Sequence, residues 1–372
     1  MHVFWIVNCC IVFLLCVFCS RIVIPQILLI AFRKQLFDIP NERKIHNHVV
    51  PRLGGIAFKP VVSFSVALLL GINLLLGYTE MLSEFENEAL PLAFGFCSIM
   101  VLYLVGMIDD LIDVRYKTKF VIQILCAIML IVGKIWISDL HGILGIHEIP
   151  VWFGYPLTIL VILLIINAIN LIDGLDGLAS GLCFFAYLLY GLVFFIIEQY
   201  IYSILSFATL GVLVSFFYYN VFGDAEQGKK IFMGDTGSLT IGMMLCFLSI
   251  KLVLAVPKGS TETTNPMILA FSPLLIPCLD VARLYLHRVR NKKNPFLPDN
   301  NHIHHKLLAM GMSQRTTMIV IVSASIIITA LNILLSLYIN INWILGGDIL
   351  IWIVINVWLS RKIKNKISNS IT

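Results

Sequence analysis

The chain has 372 residues, of which 59% are hydrophobic and 13% charged, with a formal net charge of +5. No water-soluble fold buries that much apolar surface, so composition excludes a soluble domain and predicts an all-α polytopic membrane protein. The nine cysteines follow no metal or disulfide spacing and are scattered through apolar runs, as small hydrophobes are.

Crossing about 30 Å of hydrocarbon takes roughly 20 apolar residues. Runs of that kind predict spans at 3–32, 54–77, 92–109, 119–138, 155–172, 178–197, 201–221, 237–256, 267–286, 316–338 and 343–361, eleven in all. The first lacks a basic start and a small-residue cleavage site, so it reads as an uncleaved span. The fifth and sixth are separated only by the turn DGLDG. The loops NERKIHNHVVPR, DDLIDVRYKTK, GDAEQGKK and HRVRNKKN and the tail RKIKNK hold nearly all the Lys and Arg, whereas the alternate loops hold only Lys258. The positive-inside rule makes the basic set cytoplasmic, with the N-terminus outside and the C-terminus inside, as an odd number of spans requires. The expected organisation is one catalytic membrane domain over residues 1–361 and a basic cytoplasmic tail over 362–372.

Four polar clusters fall on the cytoplasmic side. In GMIDDLIDV a continued helix places Asp109, Asp110 and Asp113 within an arc of about 100°. Such crowding calls for a divalent cation or surrounding Lys and Arg, while Arg115, Lys117 and Lys119 are also suited to an anion. NAINLIDGLDG sets Asn167, Asn170, Asp173 and Asp176 at every third residue where an apolar helix runs out. A buried carboxylate there costs roughly 2.5–3.5 kcal/mol even on a lenient insertion scale. This stripe is either an oxygen-rich site for Mg²⁺ with substrate phosphate or a polar seam between helices.

KKIFMGDTGSL places Asp235 at a Gly-flanked helix start whose N–H groups are expected to face an anion. Phe232 is either a stacking platform or packing. The DTGS string matches an aspartic-protease turn, but no second such loop and no β pattern accompany it. In PFLPDNNHIHHKLLAMG, His302, His304 and His305 lack the Cys or acidic partners of a zinc site. They are expected to donate to phosphate beside Arg288, Arg290, Lys292 and Lys293. A transporter spreads its polar groups to mid-membrane depth and both faces; here they gather on one face, as in an enzyme fed from the cytoplasm. A nucleotide-sugar or lipid transporter is the alternative reading.

The segments RKIHNHVVPRLGG, GMIDDLIDVRYKTK, NAINLIDGLDGLASG, FMGDTGSL and PDNNHIHHKLL occur in this order along the chain. Together they resemble the polyprenyl-phosphate N-acetylhexosamine-1-phosphate transferases over about the whole membrane core. The PRLGG and DNNHIHHKLL forms are similar to the branch acting with UDP-GlcNAc or a related UDP-sugar. The TPTMGG-like and PIHHHFE-like segments of the peptidoglycan branch, the other enzyme alternative, are absent. The resemblance implies transfer of a sugar-1-phosphate from a UDP-N-acetylhexosamine to undecaprenyl phosphate with release of UMP, the first membrane step of surface-glycan synthesis. It implies Asp109 and Asp110 as the essential acidic pair, with Asp173, His302, His304 and His305 also catalytic. Asn170 and Asp235 match Mg²⁺ ligands, with Mn²⁺ as a substitute. Phe232 matches the residue stacking on uracil, Asp176 its hydrogen-bond acceptor and Lys119 a phosphate-binding lysine, and Lys44 lies near another substrate-binding lysine. The implied setting is the bacterial inner membrane, with the lipid bilayer as partner, no nucleic acid, and a homodimer left open.

Overall fold

The computed structural model describes residues 2–36, 50–256, 264–292 and 301–371, with 367–371 as backbone. Its long elements are helices, as hydrocarbon demands: without water, only a helix or a closed barrel satisfies every backbone N–H and C=O. Helices α1 (His2–Lys34), α2 (Phe58–Leu75) and the short α3 (Glu80–Asn87) come first. They are followed by α4 (Ala89–Ile112), α5 (Tyr116–Val132), α6 (Val151–Ile172), α7 (Leu178–Ile196), α8 (Tyr200–Val221) and α9 (Gly234–Ala255). The last third contains α10 (Pro266–Phe271), α11 (Leu275–Arg290), α12 (Ile303–Ala309), α13 (Gln314–Leu335) and α14 (Ile341–Ile371). Among the described residues no strand forms; Asp139 and Glu148 make an isolated bridge.

Ten helical segments among the described residues are long and apolar enough to cross a bilayer, with α10 and α11 joined as one over Pro266–Arg290. They coincide with ten of the eleven expected spans. The other, expected at 119–138, is α5, whose 17 residues reach about 26 Å at the usual rise. Its end is set by a turn in which Lys134 takes a positive φ of 62°. The basic stretch expected as a tail from residue 362 continues α14 to Ile371.

Helix α9 is the centre of the bundle. It is apolar on all sides and buried along nearly its whole length, as a core helix must be, with α4, α6, α7 and α10 packed around it. Helices α1, α13 and α14 lie at the periphery and present Leu14, Ile327 and Leu350 outward. At one end of the α4–α9 pair, Glu88 accepts from Lys251 Nζ at 2.7 and 2.8 Å and from the Tyr202 hydroxyl at 2.8 Å. Asp109, Asp110 and Asp235 occupy the other end.

The segment before α2 is laid against the loop that leads into α9. Phe232 N–H donates to the Pro51 carbonyl at 2.8 Å, and Gly54 and Gly55 N–H donate to the Phe232 and Met233 carbonyls, both at 2.9 Å. Gly55 touches the backbone of Gly237: a methyl on Gly55 would lie 2.0 Å from Gly237 N and 2.2 Å from its Cα. Backbone cannot yield as a side chain does. Gly55→Ala is therefore expected to lower stability by about 1–3 kcal/mol or more. Gly71→Ala, within α2 where an added methyl meets nothing within 4 Å, is expected to be neutral or stabilising by up to about 1 kcal/mol. Thermal unfolding of the two variants in detergent checks the contrast, and equal midpoints would contradict it.

Candidate active site

The last turn of α4 sends its two neighbouring carboxylates in different directions. Asp110 accepts from the backbone N–H of Asp235 at 2.7 Å, the N–H of Thr236 at 2.9 Å and the Thr236 hydroxyl at 2.5 Å. These N–H groups belong to the first turn of α9, which has no intrahelical acceptor for them, and a negative charge is favoured there. Asp110 thus caps α9 from a neighbouring helix. The expectation that this helix start faces a substrate anion is overturned, because a carboxylate of the chain already occupies it. Gly234 makes the approach possible: it takes a positive φ of 73°, and a methyl there would lie 2.6 Å from Asp110 Oδ2.

Asp109, buried, accepts from Lys119 Nζ at 2.5 Å and from Val114 N–H at 2.6 Å. Asp113 was expected on the same helical face but leaves it. The helix stops at Ile112, and Asp113 takes a positive φ of 54° and points into the open. Asp109 and Asp110 thus take separate partners, Lys119 and the start of α9.

Lys119 also lies 3.9 Å from Asp235 Oδ1. The Asn170 amide donates to the same oxygen at 2.5 Å and to the Ser238 hydroxyl at 2.9 Å. Helices α4, α5, α6 and α9 therefore meet in one cluster of Asp109, Asp110, Lys119, Asn170 and Asp235. Asp235 and the Asn170 side chain, once its amide is turned, are the adjacent hard-oxygen ligands it offers.

The expected stripe of four polar residues divides because α6 ends at Ile172. Asn167 donates to Gln123 Oε1 at 2.9 Å, a polar seam between α5 and α6. Asp176 accepts from Lys230 Nζ at 2.5 Å. Asn220, on α8, stitches this turn to the α9 loop: its carbonyl accepts from Gly177 N–H at 2.7 Å and its amide donates to the Ile231 carbonyl at 2.9 Å. The sequence reading missed Lys230 and Asn220. Lys230 lies within KKIFMGD, and Asn220 is an amide ending an apolar helix, which was the available signal. Asp173 has its carboxyl held well above the usual carboxylate range, first by burial and then by Asp235, Asp176 and Asp110, with Arg52 opposing. Negative charge is in excess there.

The histidine segment closes the site. His304, 1% exposed, has no hydrogen-bond partner at either ring nitrogen. A methyl on Gly174 would come within 3.2 Å of its Nε2, so the ring lies on the DGLDG turn. His302 stacks on it at 5.5 Å and 10°, and His305 lies 4.2 Å from it. Burial, then His305 and His302, push the His304 imidazole down to about 3, against Asp280, so the ring is neutral at physiological pH. Arg283, which the sequence reading did not single out, is tied into this segment. It donates to Asp280 Oδ1 at 2.9 Å and to the Asn301 carbonyl at 2.6 Å. Phe232 is half-buried beside the cluster. Lys44 and Lys293 lie outside the described residues.

A sequence profile described as Glycosyl transferase family 4 matches residues 92–253, from α4 to α9. A Salmonella typhi protein named undecaprenyl-phosphate alpha-N-acetylglucosaminyl 1-phosphate transferase is 31% identical over 306 residues, covering 82% of this chain and 77% of the relative. The chain belongs to this family of polyprenyl-phosphate sugar-1-phosphate transferases. A Pasteurella multocida protein of the same name is 33% identical over 335 residues, covering 89% of this chain and 88% of its own length. A Bacillus subtilis protein, named a probable undecaprenyl-phosphate N-acetylglucosaminyl 1-phosphate transferase, is 31% identical over 305 residues, with 81% and 77% covered. The family match takes in the whole carboxylate cluster, and the histidine segment lies beyond it.

The neutral His304 has a consequence for acid stability. An unfolded chain protonates its imidazole near 6.5, the folded protein only near 3. Between those values the unfolded state binds the extra proton. Stability therefore falls as pH drops through the window, by up to about 1.4 kcal/mol per pH unit. His304→Asn is expected to flatten unfolding midpoints measured from pH 7 to 4.5. An acid limb as steep as that of the unsubstituted protein would contradict the assignment.

Proposed function

We propose that the protein transfers N-acetylglucosamine-1-phosphate from UDP-GlcNAc to undecaprenyl phosphate, releasing UMP, at the cytoplasmic face of a bacterial inner membrane. The observation that carries this reading is the meeting of Asp109, Asp110, Lys119, Asn170 and Asp235 in a single cluster at one end of the bundle. The names of the relatives supply undecaprenyl phosphate and the N-acetylglucosaminyl 1-phosphate group, and the family resemblance of the sequence motifs supplies the UDP donor. The positive-inside rule, applied to the basic loops of the sequence, supports the cytoplasmic placement.

Mg²⁺ fits the donors present. Asp235 and Asn170 supply two oxygen ligands, and Mg²⁺ takes one or two protein groups and completes its shell with phosphate and water. Among the described residues no group of three His, Cys, Asp or Glu side chains could hold a metal, so a zinc-type cage is not the better fit. When bound, the ion supplies neutralisation of charge on the diphosphate oxygens, a role Mn²⁺ can also fill.

An oxygen of undecaprenyl phosphate attacks the β-phosphorus of UDP-GlcNAc. The bond to the UMP oxygen breaks, and UMP leaves with that electron pair. A phosphate monoester has its second pKa near 6, so the nucleophile is already largely ionised and needs little help from a base. Asp109 holds the Lys119 ammonium beside Asp235, where it meets phosphate charge. Asp110 fixes Asp235 through the cap on α9. The buried, neutral His304 donates a hydrogen bond to phosphate without bringing a second charge. Asp176 and Phe232 line the uracil end, one as acceptor and the other as a stacking face, and Lys230 orients Asp176.

Membranes containing the protein, given UDP-GlcNAc, undecaprenyl phosphate and Mg²⁺, are expected to release UMP and form the lipid-linked sugar diphosphate, with loss of activity in EDTA and recovery on adding Mg²⁺ or Mn²⁺. Lys119→Ala is expected to lower turnover by about 100-fold or more, since a charge-assisted contact to phosphate from a half-buried ammonium is lost. Absence of UMP with every UDP-N-acetylhexosamine would contradict the reading.

A further inference from the structure

We propose that Asp280 is a positioning residue for the transfer reaction, acting through His302 to set which ring nitrogen is offered to the substrate. The proposal rests on the functional reading above.

Asp280 lies on α11, 1% exposed, outside every motif that pointed to the site. Its Oδ2 accepts from His302 Nδ1 at 2.9 Å. The same carboxylate accepts from the backbone N–H of Ile303, the first residue of α12, at 3.2 Å. One turn further along α11, Arg283 donates to Asp280 at 2.9 Å and to the carbonyl of Asn301 at 2.6 Å. Two residues of α11 thus hold three consecutive positions, Asn301, His302 and Ile303, by ring, N–H and carbonyl.

Two ring nitrogens of a histidine are distinct, and the bond made by one decides the state of the other. A carboxylate accepts only, so Nδ1 of His302 carries the proton. In the neutral ring Nε2 is then the unprotonated nitrogen, an acceptor. The plane of the ring is fixed as well, since His302 stacks on His304, which in turn lies on Gly174 beside Asp173. The charged and titratable groups around the imidazole are Asp280 and Arg283 from α11 and His304, His305 and Lys306 from α12.

Lys306 shows that α12 is braced from the far side too. Its ammonium donates to Asn356 Oδ1 and Ser360 Oγ of α14, both at 3.0 Å, and Lys366 reaches the Ala309 and Met310 carbonyls at 3.4 and 3.3 Å. With α14 keeping the short helix in place, loss of Asp280 falls mainly on the ring of His302. The charged carboxylate serves that orientation and also holds Arg283. Asn in its place can accept one hydrogen bond but can equally turn its NH₂ to the ring and leave the tautomer unset.

The test is a double-substitution cycle read by UMP release from purified protein with UDP-GlcNAc, undecaprenyl phosphate and Mg²⁺. Asp280→Asn is expected to lower kcat by about 10- to 100-fold, the usual loss for a partner that orients a functional histidine, with KM for UDP-GlcNAc within twofold; the fall in thermal midpoint from losing the Arg283 pair is expected equally with and without His302. Asp280→Glu is expected to recover part of the rate. In a His302→Ala background, Asp280→Asn is expected to cost nothing further. Should Asp280→Asn fail to fold, Asp280→Glu carries the same cycle. Full activity in Asp280→Asn, or the same fold-loss with and without His302, would overturn the role of Asp280 while leaving the transferase reading intact. Absence of UMP from the unsubstituted protein would instead overturn that reading, and the role of Asp280 with it.

Discussion

The carboxylate of Asp110 on the first turn of α9 is the contact on which the site depends. A helix beginning inside an apolar bundle carries N–H groups that water cannot reach, and each one left unpaired is costly. Here a neighbouring helix supplies the acceptor. The same bonds that satisfy α9 also join the end of α4 to the residues around Asp235. The most enclosed helix of the bundle and the most polar cluster are therefore fixed by one interaction, and neither can shift without the other.

The remaining charges are distributed in pairs around that junction. Asp109 has Lys119, Asp176 has Lys230, and Asp280 has Arg283 and His302. Asp173 is held protonated more readily, first by burial and then because the acids near it outweigh Arg52. Local excess negative charge between two paired carboxylates is an environment that favours a bound cation. At the opposite end Glu88, Lys251 and Tyr202 are joined by hydrogen bonds.

Much of this was legible in the chain. Spans follow from apolar run length: nine of them are helices within a few residues of their expected ends, and a tenth, α14, continues past its end to Ile371. The acidic, amide and histidine clusters were each visible as polar groups placed where lipid would forbid them. Their partners were harder to see. Asp113 shares a face with Asp109 only if the helix continues, and periodicity does not reveal that a positive φ ends it. Asn167 and Asn170 look alike in sequence, yet one bonds Gln123 across a seam and the other Asp235, a difference of helix rotation. Asp280 carried no signal at all: a single acid in an amphipathic helix gains meaning only when folding brings a histidine from 22 residues away to its side.

Crystals grown with Mn²⁺ and a UDP-GlcNAc analogue, read by anomalous scattering, test the central arrangement most directly. The account predicts one manganese peak bound by Asp235 and Asn170 at about 2.1–2.2 Å, near the distances of hard-oxygen octahedral sites, with Asp110 still accepting from the N–H groups of Asp235 and Thr236. A peak on Asp110 itself, with the start of α9 released from it, would contradict the account.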